Sequence, residues 1–152
     1  MTKHIVYLGL GTNLGDKNRN VSTAIVMIAE RVGDIVRKSS LLSTLPWGFE
    51  SDNEFVNAVV CVHTSLTPES LLAVTQQIES EMGRKEKTVA GGYTDRIIDI
   101  DILLYDDAVI NTPSLVVPHS LMFKRDFVML PLKEIMPDEK YTELLNWALD
   151  NK

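Results

Sequence analysis

The sequence predicts a mixed α and β fold in a single domain, from three observations. Its 152 residues are the length of one domain, with enough chain to bury a proper core. Short β-branched and apolar runs such as Ile5-Val6-Tyr7-Leu8-Gly9-Leu10 are bounded by glycine, asparagine or proline. Between them lie segments whose apolar residues recur at helical spacing, such as Val21, Ala24, Ile25, Ile28 and Val32. No internal repeat, linker or low-complexity tract divides the chain.

Composition narrows the function classes. Hydrophobic residues at 45% and charged residues at 24% are ordinary for a soluble globular protein. A net charge of −6 argues against a protein that wraps nucleic acid or coats an anionic membrane, so any polyanion site must be a local basic island. No apolar run reaches the roughly 18 residues of a membrane span, and Met1-Thr2-Lys3-His4-Ile5 enters a strand-like run with no export signal. The sole cysteine, Cys61, lies in an apolar strand pattern, where a buried structural thiol is the expectation and an intramolecular disulfide is impossible. These features predict a cytoplasmic protein.

Taken in order, the first strand runs into Gly11-Thr12-Asn13-Leu14-Gly15-Asp16. Gly9, Gly11 and Gly15 miss the G-x-G-x-x-G spacing by one place, and no Gly-Lys-Ser/Thr follows, so the stretch reads as a strand-to-helix turn. A helix is predicted over 20–32, with Gly33 at its end. A second strand is predicted over 35–45, closing in a loop where Pro46, Trp47, Gly48 and Phe49 suggest either a ligand platform or a packed lid. A third strand is predicted over 54–63. Phe55, Asn57, Val59, Cys61 and His63 share one of its faces, which sets an amide into a mostly apolar row. Asn57 must find partners, either nearby backbone or a flat heterocycle stacked on Phe55.

Thr67-Pro68-Glu69 starts a second helix with a hydroxyl cap, proline at the first position and an acid in the first turn. Leu71, Thr75, Ile78 and Met82 line its apolar face, Gln76 and Glu79 lie on a neighbouring one, and Gly83 ends it. Residues 84–94 then lose all periodicity and hold Arg84, Lys85 and Lys87 before a Gly91-Gly92 pair, a pattern expected of a functional loop.

The most informative stretch follows: Asp95-Arg96-Ile97-Ile98-Asp99-Ile100-Asp101-Ile102-Leu103-Leu104-Tyr105. Alternation puts Asp99 and Asp101 on one face and Ile98, Ile100, Ile102 and Leu104 in an apolar row on the other. Two carboxylates about 7 Å apart repel by about 2 kcal/mol at an effective dielectric near 20. Mg²⁺ suits such a pair, since it takes one or two carboxylates and fills its other positions with water and substrate phosphates; a half-buried strand with an acidic wet face is the alternative. Adjacent acids and loop cations together suggest a metal-bound polyphosphate. After a turn at Asp106-Asp107, residues 108–110 are predicted to pair back as a hairpin. His119 follows Pro118 in a loop, Leu130-Pro131-Leu132 reads as packing, and a C-terminal helix is predicted over 143–149, docking through Leu144, Leu145 and Ala148.

These motifs resemble the 6-hydroxymethyl-7,8-dihydropterin pyrophosphokinase family of folate biosynthesis. The similarity runs from Tyr7-Leu8-Gly9-Leu10-Gly11-Thr12-Asn13-Leu14-Gly15 to Pro131-Leu132-Lys133-Glu134-Ile135-Met136-Pro137. Its most specific parts are Arg96-Ile97-Ile98-Asp99-Ile100-Asp101-Ile102-Leu103-Leu104 and Val117-Pro118-His119. The resemblance implies an α+β fold with a ferredoxin-like core, a mainly antiparallel sheet flanked by helices. It implies transfer of pyrophosphate from ATP to the pterin hydroxymethyl oxygen with release of AMP, and two Mg²⁺ ions on Asp99 and Asp101. It assigns Gln76, Glu79, Arg84, Arg96, Ile102, His119 and Arg125 to ATP, with Arg84, Arg96, Asp99 and Asp101 as the catalytic set. Thr44, Leu45, Trp47, Gly48, Phe55, Asn57 and Phe127 fall to the pterin. The implied partners are small molecules, with no nucleic acid or membrane, and the implied state is a monomer or weak homo-oligomer.

The chain departs from that family in places. In the 84–95 loop only Arg84 matches clearly, with Tyr93 as the available ring, Asp95 adds charge beside Arg96, and Ser120 follows His119. The competing readings are another two-metal nucleotide enzyme, which would not need Phe55, Asn57 and Phe127 as a clamp, and a non-enzymatic nucleotide-binding module.

Overall fold

The computed structural model describes residues 3–44, 54–83 and 97–151. In chain order the elements are β1 (His4–Thr12), α1 (Lys17–Arg31), β2 (Gly33–Lys38), β3 (Leu42–Thr44), β4 (Phe55–Thr64), α2 (Pro68–Glu81), β5 (Asp99–Tyr105), β6 (Ile110–Asn111), β7 (Val116–Val117), a 3-10 turn (Met122–Lys124), α3 (Asp126–Ile135) and α4 (Asp138–Asp150). The main sheet has the order β2-β4-β1-β5, with β3 also on β4. Each of its pairings is antiparallel, which gives the α+β class expected.

Alternation along β1 and β4 distributes the core. Val6, Leu8 and Leu10 with Val56, Ala58, Val60 and Val62 face α1 and α2, where Val21, Ala24, Ile28, Leu71 and Ile78 meet them. Tyr7, Val59 and Cys61 face the other way, toward Val128, Met129, Leu132 and Ile135 of α3. The central strands are thus apolar on both faces over most of their length. Cys61 is free and buried, as expected.

Several boundaries differ from the sequence reading for local reasons. α1 starts before its apolar stripe because Asp16 caps it, its carboxylate accepting from Arg19 N–H at 3.2 Å. α2 begins where its signals predicted, with Thr67 Oγ1 accepting from Ser70 N–H and Pro68 at the first position. It closes at Gly83, whose φ of +116° disfavours any other residue. The strand expected over 35–45 is two strands, because buried Ser39 interrupts it. Its N–H donates to Val59 O and its Oγ accepts from Val59 N–H, both at 2.9 Å.

The predicted apolar row on β5 is also corrected. Leu8 pairs with Ile102 but Tyr7 with Leu104, a bulge that leaves Leu103 as the extra residue. The alternation slips there, so Leu103 and Leu104 both pack on the α3 side, away from Ile98, Ile100 and Ile102. Residues 108–110 do not pair back on β5 either. Asp106 accepts from Ile5 N–H at 2.7 Å and holds His4 Nδ1 at 2.7 Å, which pins the turn to the start of β1. The chain then leaves the sheet, and Ile110 and Asn111 pair with Val117 and Val116. The last helix starts at Asp138 rather than 143, because its first turn is polar and carries no apolar signal. Leu144 docks as expected, while Leu145 stays 39% exposed. No helix among the described residues is long and apolar enough to cross a membrane.

Candidate active site

The fold assembles a polar patch at one end of the sheet face that α3 covers elsewhere. In register, Asp99 lies opposite Gly11 and Asp101 opposite Gly9 on β1. Gly11 in turn lies opposite Asn57 on β4, and Asn57 opposite Leu42 on β3. Direct cross-strand partners share a face, so Asp99, Gly11 and Asn57 form one row across three strands, spanning about 10 Å at the usual strand spacing. Both aspartates are half-buried.

Both glycines in this patch are buried, and a β-carbon at Gly9 would meet the Leu103 side chain at 3.4 Å. A β-carbon at Gly11 would sit 3.1 Å from Asn57 Oδ1 and 3.7 Å from the Phe55 ring. Glycine at position 11 therefore leaves the Asn57 amide and the Phe55 ring room to lie close against β1. Asn57 is buried, and its Nδ2 donates to Thr44 Oγ1 at 2.9 Å and to Leu42 O at 3.4 Å. The amide thus has its local partners, and these bonds orient the side chain.

At the edge of β5, Glu79 of α2 is buried and its Oε2 accepts from Ile100 N–H at 2.8 Å. Alternation directs the N–H of Ile102 to that same edge, while the Ile102 side chain is in the core. Leu103 O accepts from His119 N–H at 3.0 Å, which docks the loop after β7 onto the strand. His119 is half-buried, and its Nδ1 accepts from Leu121 N–H at 3.2 Å. That bond leaves the ring proton on Nε2. Burial first and then the nearby Arg125 charge hold the His119 pKa below its ordinary value, with Asp99 pulling the other way. The His119 ring therefore lies within electrostatic reach of both Asp99 and Arg125. The Arg125 guanidinium lies 5.5 Å from the centroid of the Phe127 ring, over which it sits.

Most of the residues expected from the sequence converge here: Asp99, Asp101, Glu79, His119, Arg125, Phe55, Asn57 and Thr44, with Phe127 under Arg125. Gln76 is exposed and stands apart. It lines a cavity of about 200 Å³ with Thr112, Ser114 and Leu115 of the β6–β7 connection, residues that sequence reasoning did not single out. Only a topology pairing β6 with β7 brings them beside α2, so no local signal could have found them. Leu45, Trp47, Gly48, Arg84, Tyr93, Asp95 and Arg96 lie outside the described residues. The described residues contain no cluster of three or more metal-ligating side chains. Two aspartates on one face nevertheless fit Mg²⁺, whose remaining positions go to water and phosphate.

Comparison with known proteins decides the family. The model of the 7,8-dihydro-6-hydroxymethylpterin-pyrophosphokinase family matches residues 7–137. The chain belongs to this family. It is 47% identical over 134 residues to the 2-amino-4-hydroxy-6-hydroxymethyldihydropteridine pyrophosphokinase of Porphyromonas gingivalis, covering 88% of this chain and 91% of that one. It is 45% identical over 133 residues to the enzyme of the same description from Aquifex aeolicus, covering 88% and 81%. Among solved structures, the Plasmodium falciparum HPPK-DHPS triple mutant superposes with a TM-score of 0.71 at 20% identity. That match covers 90% of this chain and 41% of that chain, and it shows the shared fold. Membership makes this chain an ATP-dependent pyrophosphokinase of folate biosynthesis.

Proposed function

We propose that the patch from Asp99 to Asn57 is where pyrophosphate passes from ATP to the hydroxymethyl oxygen of the dihydropterin. The row Asp99, Gly11, Asn57 carries this reading, because it sets a carboxylate pair and a heterocycle-reading amide on one face about two strand spacings apart. Phe55 and Phe127 stack on the pterin, and Asn57 reads its edge together with Thr44 and the backbone of Leu45, Trp47 and Gly48. The triphosphate lies along β5, met by Arg84, Arg96, His119 and Arg125. The adenosine end extends toward the outer edge of β5, where the backbone of Ile102 and the side chain of Gln76 are available.

Asp99 and Asp101 would hold two Mg²⁺ ions, which when bound would neutralise the phosphate oxygens that gain charge during transfer. The remaining work belongs to the chain. The clamp holds the hydroxymethyl oxygen in line with the β-phosphorus, where a new P–O bond forms as the bond from that phosphorus to the bridging oxygen breaks. AMP leaves with the bridging oxygen, and the hydroxyl proton passes to Asp99 or Asp101. Arginines and fixed dipoles stabilise the charge, so no nucleophilic side chain is needed. His119, held neutral and bonded at Nδ1, presents Nε2–H as a donor to phosphate. Glu79 acts chiefly through β5, which it braces beside the aspartates.

The test is Asp99→Ala and Asp101→Ala, assayed for AMP formation with pterin present and for thermal midpoint. Each variant is expected to fold and to lose AMP formation. A folded, fully active variant would overturn the reading. Another two-metal chemistry would instead release pyrophosphate from ATP, with no need of the pterin.

A further inference from the structure

Glu134 lies in the last turn of α3 and bonds to a residue 94 positions away. Its two carboxylate oxygens accept from Ser40 N–H at 3.0 and 2.8 Å and from Ser40 Oγ at 2.6 and 3.0 Å. Ser40 occupies the short connection between β2 and β3. Its neighbour Ser39 is already stitched to Val59, so the chain between that anchor and β3 is short and has little slack. β3 then supplies Leu42 O and Thr44 Oγ1, the two acceptors that orient the Asn57 amide.

The other end of α3 bears on the same site. Phe127 precedes Glu134 by seven residues, close to two helical turns, so both side chains leave one helix face roughly 10 Å apart along the axis. Glu134 and Ser40 are both exposed, while Val128, Met129, Leu132 and Ile135 already dock α3 through the core. The carboxylate is therefore not needed to hold the helix on the sheet. What it adds, beside the pairing of β3 with β4, is a tie from the β2–β3 connection to the helix that carries Phe127.

We infer that Glu134 is a positioning residue for the pterin site: through Ser40 it sets β3 against α3, and so holds Thr44 and the Asn57 amide in register with the Phe127 wall. This rests on the assignment of Asn57, Thr44 and Phe127 to the pterin. It predicts selectivity, because the β5 and α2 side of the site has no part in the brace.

The experiment compares wild type with Glu134→Ala, Glu134→Gln and Ser40→Ala. Pterin affinity is read by equilibrium binding and by KM at saturating ATP, and ATP affinity by KM at saturating pterin. Glu134→Ala is expected to weaken pterin about tenfold, which is about 1.4 kcal/mol, with the KM for ATP and kcat nearly unchanged. Glu134→Gln keeps an acceptor for Ser40 N–H and should recover most of the loss. Ser40→Ala keeps the N–H bond and should show a smaller loss of the same selectivity.

Unchanged pterin affinity in Glu134→Ala would overturn the inference. So would a parallel loss of pterin and ATP affinity that tracks the thermal midpoint, the mark of a merely structural role. If Glu134→Ala does not fold, Ser40→Ala decides, and wild-type pterin affinity there refutes the brace. A wild-type chain that binds pterin but makes no AMP would count against the reaction assigned above, while the affinity ratio between wild type and variants would still decide this inference.

Discussion

Replacing Gly11 by alanine separates substrate recognition from stability. The added β-carbon would stand 3.1 Å from Asn57 Oδ1, a few tenths of an ångström inside ordinary contact, and 3.7 Å from Phe55, which is ordinary. The strain therefore falls on the amide, which must turn away from the acceptors at 2.9 and 3.4 Å that hold its Nδ2. Misaligning Asn57 against the pterin forfeits one or two hydrogen bonds at about 1 kcal/mol each, or roughly a five- to thirty-fold rise in pterin KM. Stability should change less, because the buried amide's lost bonds, about 1 kcal/mol each, are opposed by a backbone gain. Gly11 lies within β1, where exchanging glycine for alanine lowers unfolded-chain entropy and gains up to about 1 kcal/mol. Steady-state kinetics with each substrate varied in turn, beside a thermal melt, reads both effects. A wild-type pterin KM in a folded Gly11→Ala protein would refute the placement of the pterin against Asn57.

Three further outcomes follow from the same geometry. Glu79→Ala strands the buried Ile100 N–H, which costs about 1–3 kcal/mol, or a midpoint lower by roughly 2–10 °C for a domain of this size; Glu79→Gln keeps an acceptor and should lose clearly less in the same melt. His119 has a folded pKa below the ordinary 6.5, so the unfolded chain binds its proton more readily: the contribution is complete above 6.5, declines as pH falls through that value and levels off below the depressed one. His119→Gln should flatten that part of the stability profile in melts between pH 7 and pH 5, and an unaltered slope would contradict the assignment. Phe127→Leu should weaken ATP as well as pterin, because Arg125 loses the ring beneath it, whereas Phe55→Leu should affect pterin alone; equal effects on ATP would show that the Arg125 contact carries nothing.

What was legible in the sequence was local or periodic. Thr67-Pro68-Glu69 and Gly83 marked the two ends of α2 because capping and positive φ depend on single residues. The shared face of Asp99 and Asp101, and that of Phe55, Asn57, Val59 and Cys61, follow from alternation alone. What was missed depends on partners distant in the chain. The slip at Leu103 exists only relative to β1, and the break at Ser39 only because its hydroxyl takes the N–H of Val59. Nothing local to Glu134 points to Ser40, which lies 94 positions away in the chain. Ile102 carried the expectation of an ATP contact, yet its side chain is core, so what it can offer a nucleotide is backbone.

The most direct measurement is AMP release from Mg²⁺ and ATP, with and without the reduced hydroxymethyl-dihydropterin. The account predicts AMP only when the pterin is present, in equal amount to the pyrophosphorylated pterin formed. ATP bound without AMP in the presence of fresh reduced pterin, or release of pyrophosphate in its place, would contradict it.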